Sequence, residues 1–163
     1  MSRDYLSTYL NDHLAGSLTA IELLDRLIDE TPDLHVILAQ LRADVQADQQ
    51  KLVELMARLH IPQSRLRKAG SWVAEKLAEA KLEVDDQSDG LLRRLERLEA
   101  LVLGIDGKLV LWKALNAAAG VDSRLRELDY IGLAQRAREQ RERVEVLRIE
   151  AARSALPVQK EVA

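Results

Sequence analysis

Four long amphipathic stretches dominate this chain, at roughly residues 4–29, 33–60, 89–119 and 123–155. They come as two pairs, separated by a bridge at about residues 61–88. As helices each would be ~40–50 Å long. Matched lengths and a very short connection inside the first pair predict an all-α four-helix bundle built from antiparallel hairpins. Seven Gly and three Pro in 163 residues leave long segments without a helix breaker. The length suffices for one domain with a real core. That domain is expected to span residues 1–156, with 157–163 as a flexible tail.

Apolar residues recur at helical spacing in every stretch. The first carries Leu6, Leu10, Leu14, Ile21, Leu24 and Ile28 on one face. Thr31-Pro32 marks a new start, with Thr31 as N-cap and Pro32 at the first helical position. The second face uses Leu34, Ile37, Leu38, Leu41, Val45, Leu52, Leu55, Met56 and Leu59, and Ile61-Pro62 ends it. The third uses Leu91, Leu95, Leu98, Val102, Ile105, Leu109 and Trp112, with Gly120 expected just past its end. Asp122 or Ser123 is expected to cap the fourth, which shows Leu133, Ala137, Val144, Leu147 and Ala151 at near-heptad spacing.

Several kinds of chemistry are excluded. The chain has no Cys, so disulfides, thiolate metal sites and Cys nucleophiles are ruled out. No apolar run approaches the ~18 residues of a membrane span. A net charge of −3 and 3% aromatic residues argue against nucleic acid as a partner. No phosphate-binding glycine loop, nucleophile elbow or zinc spacing is present, so no motif points to an enzyme activity, and the reading leans to a non-enzyme while leaving that open. Met1-Ser2-Arg3-Asp4 leads straight into a helical pattern without an apolar signal segment, and a cytoplasmic location is expected.

The informative polar residues are those standing where a Leu would be expected. His13 and Ser17 fall near the centre of the first stripe, and Asp48 lies between Val45 and Leu52. Asp106 lies at the edge of the third stripe, with Lys113 and Asn116 inside it. Gln140 takes a heptad position between Ala137 and Val144. Ser17, Asp48, Asp106 and Gln140 each fall near the midpoint of their helix, which predicts a polar layer halfway along the core. A buried carboxylate without a partner would rather take up a proton. Asp48 is therefore expected to meet His13, Lys113, Gln140, a water or a metal ion. A satisfied network that fixes helix register is the first reading of this layer. A metal site using His13, Asp48 and Asp106 is the alternative. His35 and His60 read as helix-end or surface residues.

The bridge is expected to hold a shorter helix over about residues 63–82, on the spacing of Leu66, Ala69, Val73, Leu77 and Ala80. Arg65, Arg67, Lys68 and Lys76 flank its apolar stripe, with Trp72 at the shoulder. That pattern fits packing on the bundle or, alternatively, docking on a membrane surface or a partner.

Two helix pairs with a long crossover resemble the ferritin-like superfamily, in which the second and third helices run parallel. The stretches Tyr9-Leu10-Asn11-Asp12-His13-Leu14-Ala15-Gly16 and Gly107-Lys108-Leu109-Val110-Leu111-Trp112-Lys113-Ala114-Leu115 are similar to a family of small uncharacterised bacterial proteins of this type. The resemblance covers nearly the whole chain and implies an up-down-down-up bundle. The di-iron members hold their metals through Glu-x-x-His on two helices. Here the only His are His13, His35 and His60, and none lies three residues after a Glu. The resemblance therefore implies the fold without the redox centre. No cofactor is expected, a metal ion at the polar layer being the exception. The function to expect is a non-catalytic binding, stress-related or structural protein, with a second copy of the chain as candidate partner.

Overall fold

The computed structural model describes residues 5–64 and 90–157, and these form an all-helical bundle. The helices are α1 (Tyr5–Glu30), α2 (His35–Arg58), α3 (Leu91–Ala119) and α4 (Tyr130–Ala155). The expected bridge helix, with Arg65, Arg67, Lys68, Trp72 and Lys76, lies outside the described residues. So does the tail from residue 158.

Helix boundaries follow local chemistry, with three departures from expectation. Thr31 precedes a short 3-10 turn, Pro32–Leu34, and its hydroxyl donates back to the Leu27 carbonyl instead of capping forward. Pro32 fits that turn because it needs no N–H there. The fourth helix begins at Tyr130, not near residue 123. Asp122 caps only a 3-10 turn, Ser123–Leu125, while Asp129 accepts from the Gly132 N–H and starts α4. Gly120 stays right-handed at φ −64°, so α3 ends through short-range bonds to Ala117 and Ala118. The left-handed closure is made at His60 instead, at φ 54°. There the Ile61 N–H reaches back to Met56 O at 2.9 Å and the His60 N–H to Ala57 O at 3.1 Å. That is a Schellman closure, which usually takes Gly.

The core falls into two apolar clusters. One gathers Leu23, Leu24 and Leu27 of α1, Leu38, Leu41 and Val45 of α2, Leu95, Leu98, Leu101 and Ile105 of α3, and Ala137, Val144 and Ala151 of α4. The other gathers Leu10 and Leu14 of α1, Leu52, Leu55 and Met56 of α2, Leu111, Trp112 and Leu115 of α3, and Tyr130, Leu133 and Ala134 of α4. Each pair of helices therefore sorts its ends between the same two clusters, and the hydrophobic effect sets the alignment. Charged pairs tie the two ends outside the core. Arg94 and Arg97 meet Asp33 and Glu30 at one end, and Arg58 meets Glu127 at the other.

Candidate functional site: a buried ion-paired layer beside a cavity

The junction between the two clusters is polar. Asp48 is fully buried on α2, and its Oδ2 accepts from Lys108 Nζ at 2.7 Å and Gln140 Nε2 at 2.9 Å. Lys108 also donates to Gln140 Oε1, which closes a three-membered ring of side chains from α2, α3 and α4. Arg136 Nη2 lies 3.0 Å from Asp48 Oδ1, close enough for an ion pair but out of line for a hydrogen bond. On the outer side, Arg143 meets Asp44 at 2.5 Å. Burial pushes the Lys108 ammonium below the ordinary lysine range, against the pull of Asp48.

Lys113 and Asn116, placed inward by the sequence reading, are both exposed. The reason is rotational. The buried stripe of α3 runs Leu98, Leu101, Ile105, Lys108, Trp112 and Leu115, a strict three-four alternation in which Lys108 is the one polar member. Lys113 lies five residues on, about 140° around the helix. Asp106 is likewise turned outward, its side chain 41% exposed and paired with Arg141 at 3.0 Å. Asp48 and Gln140 do lie in the core, and Ser17 is half-buried. Ser17 donates to Leu14 O at 2.7 Å and accepts from Gln49 Nε2 at 2.9 Å, so it stands beside the ring without joining it. His35 and His60 are exposed.

A cavity of about 330 Å³ opens between α1, α2 and α3 next to this layer. Its walls are mostly apolar, from Ala20, Val45, Leu52, Leu101, Ile105 and Leu111. Asp48 and Lys108 contribute to its lining, together with His13, Asp12, Ser17 and Gln49. Tyr9 stands edge-on to His13, with ring centroids 4.6 Å apart. Burial holds the His13 imidazole below its usual range, with Asp12 pulling weakly the other way. Trp112 is buried in the same wall, and its indole N–H has no hydrogen-bond partner among the described residues.

The residues do not fit a di-iron or other ferritin-type metal centre. Both oxygens of Asp48 face cationic side chains, Asp106 is engaged elsewhere, and His13 lies on the cavity wall. Among the described residues no group of three His, Cys, Asp or Glu side chains could hold a metal ion. No described helix is long and apolar enough to cross a membrane. Compared with known proteins, the chain matches no family model, no curated protein and no solved structure.

Two contributors escaped the sequence reading. Lys108 could have been found from the three-four alternation just described. Asn11 is buried on α1, where its amide donates to Ser7 O at 2.9 Å and Pro62 O at 3.2 Å and its carbonyl accepts from Ser64 N–H at 2.7 Å. It pins the segment after α2 onto α1, and nothing local to Asn11 announces that role.

Proposed function

We propose that this chain is a ferritin-like bundle without a metal centre, acting as a non-catalytic binding protein. In this reading α1 and α4 run one way, α2 and α3 the other, and a crossover joins α2 to α3. The sorting of helix ends between the two core clusters supports that order. The observation that carries the reading is the Lys108 ammonium seated between Asp48 and Gln140. A protein cation occupies the place where inward carboxylates would otherwise gather a metal, and its charge already offsets Asp48. Binding then falls to the neighbouring cavity, whose apolar wall and few convergent polar groups have the make-up of a small-molecule site.

Metal analysis tests this directly. The full chain is incubated with ferrous iron, manganese or zinc, desalted and assayed for bound metal. The expected result is far below one ion per chain. Stoichiometric metal that disappears in an Asp48→Ala variant would overturn the proposal.

A further inference from the structure

Three of the seven glycines in the chain, Gly16, Gly104 and Gly107, stand in helix interiors, and all three line this one cavity. Each costs about 1 kcal/mol of helix propensity relative to Ala. A Cβ built on buried Gly16 meets nothing within 4 Å. The sequence thus gives up helix stability at three positions of one wall, and at Gly16 the space stays open. A cleft of about 330 Å³ is within the range of small-molecule sites. Its polar equipment is specific. An ammonium carries three N–H donors, and Lys108 uses two of them, on Asp48 and Gln140. Arg136 reaches Asp48 from the outer, solvent-exposed side, so Lys108 is the cation of this layer that lines the cavity.

We propose that the cavity binds a monocarboxylate with an apolar body, its head group taken by the third N–H of Lys108 and its body lying against Ala20, Leu52, Leu101 and Ile105. A carboxylate gains a charge-assisted hydrogen bond from Lys108 in a mostly apolar setting. His13, on the same wall, offers an imidazole to the same head group. Asp12 also lines the cavity, and its carboxylate opposes negative charge on the ligand, which limits the head group to one charge held at the Lys108 end. This inference rests on the reading of the bundle as a metal-free binding protein. Metal content tests that reading, whereas the titration below tests only the ligand class.

The test uses the full chain carrying Trp72→Phe, which leaves Trp112 in the cavity wall as the sole tryptophan. Decanoate, decan-1-ol and decylamine are titrated below their micelle concentrations while Trp112 emission is followed. Decanoate should bind at least about ten-fold more tightly than decan-1-ol, as expected of a hydrogen bond to a charged group, and decylamine most weakly. Adding Lys108→Met with Asp48→Asn removes the ion pair without leaving a lone buried charge, and should abolish the preference for the acid. Gly16→Leu, which fills the open space, should abolish binding of all three. Equal affinity for decanoate and decan-1-ol in the otherwise unmodified chain, or tighter binding of decylamine, would overturn the proposal. So would decanoate binding that survives Gly16→Leu.

Discussion

Replacing Asp48 by Leu probes the centre of the molecule. Asp48 has no solvent exposure, and its loss strands Lys108, whose side chain is only 14% exposed. Breaking a buried pair by removing one partner costs about 3–5 kcal/mol. Gln140 also loses the acceptor for its amide, at about 1–3 kcal/mol. The new Leu buries apolar surface worth about 1.5–3 kcal/mol, so these last two effects roughly cancel. The expected net loss is about 3–5 kcal/mol, a large share of the 5–15 kcal/mol typical of a whole domain. Removing Lys108 as well should change the outcome, because no lone buried charge remains, and the two added Leu side chains offset the unpaired Gln140 amide at about 1–3 kcal/mol. The double variant Asp48→Leu with Lys108→Leu should return to within about 1 kcal/mol of the parent or exceed it. The two substitutions should therefore couple by more than about 2 kcal/mol in a double-mutant cycle. Urea melts near neutral pH, followed by helical circular dichroism and compared at equal m, give these values. An Asp48→Leu protein as stable as its parent would refute the reasoning, as would singles whose losses simply add in the double.

Other consequences can be checked by the same melts. Lys113→Met should change stability by less than about 0.5 kcal/mol, as for an ordinary surface position, while Lys108→Met costs several-fold more; the reverse order would mean that α3 is rotated from the orientation described. Gly16→Ala should stabilise by about 0.4–1 kcal/mol, since the added methyl meets open space, and a loss would show that the space is closed. His60→Gly should stabilise by about 1 kcal/mol by relieving the left-handed conformation at φ 54°, and a destabilised variant would argue against that closure of α2. Burial makes Lys108 hold its proton less readily in the folded than in the unfolded chain. The folded state therefore binds fewer protons between the lowered value and the ordinary 10.5, and stability from this group rises with pH across that window. The stability difference between the parent and Lys108→Met should accordingly grow in the parent's favour as the pH rises toward 10.5, and a flat or falling difference would contradict the assignment.

Periodicity alone determined that four helices form, and it identified Asp48 and Gln140 as polar intruders in apolar stripes. Both facts are local, because a side chain's angle within a helix follows from its spacing to its neighbours. The halfway register of these residues was legible for the same reason. Which lysine enters the layer was not decided locally. On α3 the apolar residues are abundant enough to support two lines about 120° apart, one through Leu95, Val102 and Leu109 and the other through Leu101, Lys108 and Leu115. Leu95 and Val102 are buried as well, so α3 is covered over a wide arc; only packing against α2 and α4 extends that arc to Lys108, where it finds Asp48 and Gln140 and its burial is compensated. The cavity is also a tertiary property. Gly16, Gly104 and Gly107 are isolated glycines along the chain, and they become one wall only when α1 and α3 are brought together. The sequence by itself determined the helices and the depth of their polar residues. The tertiary structure decided which charges meet and where space is left, since pairing and voids depend on helix rotation and neighbours that no single stretch encodes.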